Sequence, residues 1–161
     1  KIKFYKYYDY MRADTNDGNI NLLSIEEAHK TKEHANMTFE ELKSSALHEF
    51  VHICQQEIEK ENIGYDIVWF WEALATNLGN PENFSKIEIK ATNEEIKSFI
   101  SLKQNYPIAF TIGKYLLENY SHESILEYAK YPSELSRNED MILDAAREWS
   151  KSKNILKNNT K

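Results

Sequence analysis

The sequence predicts an α+β fold, with a small N-terminal β-sheet followed by a predominantly helical region. Three observations carry that expectation. Residues 3–10, Lys-Phe-Tyr-Lys-Tyr-Tyr-Asp-Tyr, are dense in the aromatic residues that favour strands. Asn16-Asp17-Gly18 is a turn signal, and Asn19 to Leu23 alternates polar and apolar residues behind it, as a second strand would. From Ser24 onward, helix-start signals recur at intervals and strand signals cease.

The helices follow in order. Ser24 with Glu27 has capping-box spacing and opens a short helix at Ile25. Thr38 with Glu41 repeats the signal and opens a long helix of about 22 residues, ending near Gly64. Asp66 can cap the next helix, which runs through Trp69-Phe70-Trp71-Glu72-Ala73-Leu74 to Gly79, with Pro81 just beyond. Thr92 with Glu95 is a third capping box. Pro107 suits a first helical position, and Ser121 and Asn138 can each cap a further helix. The polar tail from Ser152 is expected to fray.

The chain has 161 residues, a length that fits one domain with a core of its own, and no repeat or linker divides it. Its formal charge is -6, and no stretch concentrates Lys or Arg, so a nucleic-acid backbone is not an expected partner. No apolar run is long enough to span a membrane. The single cysteine, Cys54, excludes an internal disulfide framework. Localisation stays open: the first residue is Lys, and the N-terminus carries no information about export.

His48-Glu49-Phe50-Val51-His52 has the form H-E-x-x-H. On a helix, residues i and i+4 share a face about 6 Å apart. Two imidazoles so placed can reach one zinc ion with bonds of about 2.0–2.1 Å. The intervening Glu points to the same side, where it can bond a water on the zinc without binding the metal. The pentapeptide arises by accident on the order of once in a couple of hundred chains of this length, so context must support it. A helical wheel over residues 45–58 supplies some. Leu47, Phe50, Val51, Cys54 and Ile58 form an apolar stripe, and Ser45, His48, Glu49, His52 and Gln56 form the opposite one. The expectation is a helix that packs by the first stripe and displays the second. The plainer alternative is a solvated polar face with two surface histidines.

A catalytic zinc needs a third protein ligand and an open position for water. Glu72 is the candidate. It lies on the second capped helix among Trp69, Phe70, Trp71, Leu74 and Ala75, where a carboxylate is costly unless it meets a cation. Reversal of the chain at Gly64 would let the two helices pack antiparallel. An ordinary salt-bridged Glu at the rim of a core helix is the alternative.

Together these segments resemble the gluzincin branch of zinc metallopeptidases, especially the aminopeptidase N type, whose second motif reads W-L-N-E-G-F-A. Trp69, Glu72 and Ala75 are identical to that pattern. Ala73 replaces the small Gly, Phe70 and Leu74 are apolar substitutes, and Trp71 replaces an Asn. The resemblance covers residues 45 to 78 and extends more weakly over Tyr106 to Tyr120. It implies a zincin-like fold, one zinc held by His48, His52 and Glu72, and peptide-bond hydrolysis with Glu49 as the base. It also implies an edge strand, Ile20 to Ser24, along which an extended peptide docks by main-chain hydrogen bonds, so that Ile20, Asn21 and Leu22 contact substrate. In aminopeptidases of this type a G-A-M-E-N segment precedes the zinc helix, and its Glu grips the substrate amine. Here Gly18-Asn19-Ile20-Asn21-Leu22 stands in a comparable place, with Asn21 where the Glu would be. A free N-terminus would lack its charged partner, so an endopeptidase acting on a peptide or protein is the preferred expectation.

Gluzincins often stabilise the oxyanion with a Tyr or His. Tyr106, just before the later helix, is the candidate among ten tyrosines, although packing is the ordinary role of any one Tyr. His29, His34 and His122 lack ligand spacing and are expected at the surface. Cys54 is expected to pack within the apolar stripe. A second function class stays open: a zinc- or peptide-binding module of the same fold that is latent or does not hydrolyse.

Overall fold

The computed structural model describes residues 1–5, 13–16, 18–61, 67–79, 81–102 and 105–158. The expected α+β architecture is present. Strands β1 (Ile2–Tyr5), β2 (Ala13–Asn16) and β3 (Asn19–Leu23) form one sheet in the order β1-β3-β2. β1 runs parallel to β3, and β2 antiparallel to it, with Asn16 opposite Asn19 across a tight turn. Gly18 takes φ +67° in that turn, a left-handed conformation natural to glycine. The second expected strand is therefore β3, while the first ends its described part at Tyr5. Residues 6–10 of that expected strand, Gly64 and Asp66 lie outside the described residues.

The sheet is followed by α1 (Ile25–Ala28), α2 (Phe39–Ile58), α3 (Val68–Gly79), α4 (Asn93–Lys97), α5 (Asn105–Asn119), α6 (His122–Lys130) and α7 (Pro132–Asn158). Local chemistry sets several of their starts. Ser24 accepts a hydrogen bond from the Glu27 amide. Thr38 with Glu41 and Thr92 with Glu95 form complete capping boxes, which satisfy donors that the first helical turn leaves free. Ser121 caps α6 through the Ser124 amide. Two expectations are corrected here. Asn138 caps nothing, because α7 begins at Pro132, and the Asn138 side-chain amide donates to the Glu134 carbonyl inside that helix. The chain beyond Ser152 continues as helix to Asn158.

Two apolar cores flank α2. The smaller joins the sheet to the helix through Ile20, Leu22, Leu23, Ala28, Met37 and Leu42, with Ala46 and Ile53 against it. The larger is helical. Trp69, Phe70, Ala73 and Leu74 of α3 meet Ile108, Ala109, Ile112 and Leu116 of α5, backed by Leu135, Ile142, Leu143 and Ala146 of α7. Burying side chains of this size contributes on the order of 1.5–3 kcal/mol each. α3 is thus the middle layer, pressed on one side by α5 and on the other by α2. It meets α2 antiparallel, since Gln55 reaches Trp71 and His48 lies beside Gly79.

Candidate metal centre

The sequence expectation for α2 inverts in the structure. Leu47 is 47% exposed, Phe50 is 53% exposed, and Cys54 is exposed, so that part of the apolar stripe faces outward. Ile58 alone of the stripe packs against the large core. The motif stripe is the one turned inward. Ser45 is buried, and His48, Glu49 and His52 are mostly covered between the sheet and α3. The physical reason is the position of α2. The sheet and α3 pack on the motif side, and Leu47 and Phe50 are left about half exposed. Gln56, expected on the motif face, is exposed; Gln55 is buried there instead.

His48, His52 and Glu72 converge as expected. One metal-ligating atom from each lies within 4.8 Å of the others. His48 Nε2 and His52 Nε2 are 3.1 Å apart. Glu72 Oε2 is 3.2 Å from His48 Nε2, and Glu72 Oε1 is 3.5 Å from His52 Nε2. Zn–N bonds of about 2.0–2.1 Å in a tetrahedral site put neighbouring ligand atoms about 3.3 Å apart. The nitrogen pair is close to that spacing. Glu72 Oε2 is buried and has no hydrogen-bond partner, despite its distance to His48. A buried carboxylate oxygen without a hydrogen-bond partner is costly unless it meets a cation. Two imidazoles and a carboxylate with one unpartnered oxygen are a donor set that could hold a metal ion.

Charge within the cluster is strongly coupled. Burial would raise the Glu72 carboxyl, but the facing imidazoles of His48 and His52 outweigh it and hold it at about 2. Burial would likewise lower His52, yet Glu72, Gln55 and Glu49 together raise it. Glu49 is raised above the ordinary carboxylate range, chiefly by burial, with Glu72 and Asp14 adding to the effect and the two histidines opposing it. Glu49 is therefore a half-buried carboxylate beside the cluster and within its electrostatic reach. A pKa moved towards neutrality suits a group that must take up and release a proton.

Helix packing sets this geometry. Gly79 lies against the α2 backbone, where an added Cβ would sit 2.5 Å from the His48 amide nitrogen. Glycine there lets α3 approach at the first ligand. Tyr106, at the start of α5, comes beside the cluster, its ring centroid 6.1 Å from that of His48. It stacks on Phe84 at 6.0 Å and meets Phe99 edge-on.

The strand expected to be an edge is not one. β3 is the central strand, and Ile20, Asn21 and Leu22 pair with β1 on one side and β2 on the other. Their main chain is already committed, so a peptide cannot add to the sheet there. Ile20 and Leu22 are core residues. Asn21 is only 6% exposed; its Nδ2 donates to Asp14 Oδ1 at 2.5 Å, and its Oδ1 is buried without a partner among the described residues. Of the remaining histidines, His29 and His122 are exposed, whereas His34 is half-buried with an unpartnered Nε2.

Sequence reasoning missed two residues that border the centre. Gln55 bridges His52 and the Trp71 carbonyl. Its position three residues after His52 was the available signal. Asp14 had none, since its strand is Ala-Asp-Thr-Asn, with no aromatic or aliphatic β-former. Comparison with protein-family models, curated proteins and solved structures gives no significant match, so the likeness to gluzincins stands on the motif residues alone.

Proposed function

We propose that this chain is a zinc-dependent peptidase of the gluzincin type that cleaves within peptide or protein chains. The convergence of His48, His52 and Glu72 around an orphaned carboxylate oxygen is the observation that carries this reading. His48 and His52 would give neutral imidazoles, and Glu72 the anionic third ligand. Bound zinc supplies a Lewis acid for the substrate carbonyl and brings the pKa of a water to about 7. Glu49 takes a proton as water adds to the scissile carbonyl carbon. It returns that proton to the amine nitrogen as the C–N bond breaks. Tyr106 is within reach of the same region through its contact with His48 and would donate to the developing oxyanion. A latent or purely metal-binding module of the same fold is the competing reading, but it leaves Glu49 half-buried beside the cluster without a task.

Glu49→Gln tests the assignment. The variant keeps the volume and the metal ligands but cannot accept the proton. Hydrolysis of a denatured-protein or peptide library should fall by about 10²–10⁴-fold with zinc content unchanged. Undiminished hydrolysis would remove Glu49 as base. Stoichiometric zinc with no chelator-sensitive cleavage by the wild-type chain would favour the binding module.

A further inference from the structure

We propose that Gln55 is a positioning residue that fixes the tautomer of His52, so that its Nε2 lone pair faces His48 and Glu72. The orientation of the Gln55 amide follows from its partners. Gln55 is 3% exposed, so no bulk water can substitute for either of them. One end lies 3.1 Å from the Trp71 carbonyl oxygen, which only accepts, so that end is the NH₂ group. The other end is therefore Oε1, 2.8 Å from His52 Nδ1. An amide oxygen only accepts, so Nδ1 carries the hydrogen. In the neutral ring the remaining nitrogen, Nε2, is then the bare one. That is the nitrogen 3.1 Å from His48 Nε2 and 3.5 Å from Glu72 Oε1. The opposite tautomer would set two lone pairs against each other at the 2.8 Å Gln55 contact, in exchange for a longer contact of 3.5 Å from Nε2 to Glu72 Oε1.

The connection has a second consequence. Trp71 immediately precedes Glu72 on α3. Gln55 thus ties the second histidine of α2 to the backbone beside the third candidate ligand, and holds the two helices in the register that brings both side chains together. The Nδ1–H to Oε1 bond competes with Glu72 Oε1, 3.5 Å from Nε2, for the same proton, and Gln55 wins; the expected gain in zinc affinity rests on the metal reading above. Partners that orient a ligand imidazole typically contribute 10–100-fold in metal affinity.

Long-range proton–nitrogen correlation spectra of the metal-free chain at alkaline pH, where the imidazoles are neutral, read the tautomer directly. His52 should show a protonated Nδ1 and a bare Nε2. Gln55→Met, similar in length but unable to accept, should move a large share of the proton to Nε2 and weaken zinc binding by about 10–100-fold. Gln55→Glu, which still accepts from Nδ1 but cannot donate to the Trp71 carbonyl, should keep the wild-type nitrogen pattern; if the Met variant does not fold, a protonated Nε2 in the folded Glu variant would overturn the proposal instead. A protonated Nε2 in the wild-type chain, or the same pattern in a folded Met variant, would overturn the proposal. Failure of the wild-type chain to bind zinc, with the nitrogen pattern as stated, would instead remove the metal reading and leave the role of Gln55 standing.

Discussion

The two faces of α2 carry opposite chemistry in opposite places. Leu47, Phe50 and Cys54 look outward, while Ser45, His48, Glu49, His52 and Gln55 are turned between the sheet and α3. Ordinary amphipathic packing would do the reverse. Burying polar groups costs free energy unless they find partners, and charged ones cost more. On the inner face the partners are present. Ser45 donates to the Glu41 carbonyl, Gln55 bridges His52 and Trp71, and Glu72 faces both imidazoles. Glu72 Oε2 is among the buried polar atoms left without a hydrogen-bond partner, and it faces the two imidazoles. Around the motif, burial on this helix follows a shared site, while Leu42, Ala46, Ile53 and Ile58 are covered as hydropathy would place them.

Substitutions on the two faces should differ in effect. The largest effect after Glu49 is expected at Tyr106. Tyr106→Phe keeps the ring against Phe84, Phe99 and His48 but removes the hydroxyl, so turnover should fall by about 10²-fold with KM and zinc content little changed. Steady-state kinetics on one cleaved peptide would check this, and equal turnover would return Tyr106 to a packing role. Next comes Gly79→Ala. A methyl group against the His48 backbone should cost about 1–3 kcal/mol in urea unfolding and weaken zinc binding as α3 moves away. Stability and affinity both unchanged would mean that the helices can separate there without consequence. The smallest effect belongs to the outer face. Phe50→Ser should leave unfolding free energy within about 0.5 kcal/mol of wild type, although it removes a large apolar side chain from the zinc motif itself. A loss of several kcal/mol would show that Phe50 is buried in solution.

Much of the framework was legible because it is local. Thr38–Glu41 and Thr92–Glu95 act over three residues, and the spacing of His48 and His52 already sets them on one helical face. Glu72 was readable from its apolar flanks. What the sequence hid depends on distant partners. β2 is held by its pairing with β3, although Ala13-Asp14-Thr15-Asn16 has little strand character. That pairing makes β3 central and removes the expected edge at Ile20 to Leu22. The wheel groups His48, Glu49 and His52 on one face of α2 but misplaces Gln56 there, and it cannot tell which face packs, since that depends on where the sheet and α3 lie. Asn138 has the chemistry of a cap, yet Pro132 starts the helix a turn and a half earlier. Gln55 and Gln56 are adjacent and identical, and only the reach to the Trp71 carbonyl distinguishes them.

The central claim is that His48, His52 and Glu72 form one metal centre. Its most direct test is metal analysis of the zinc-reconstituted, buffer-exchanged chain beside Glu72→Gln. One zinc per wild-type chain and much weaker retention by the variant are expected. Less than one zinc per chain after reconstitution, or equal retention by both proteins, would contradict it.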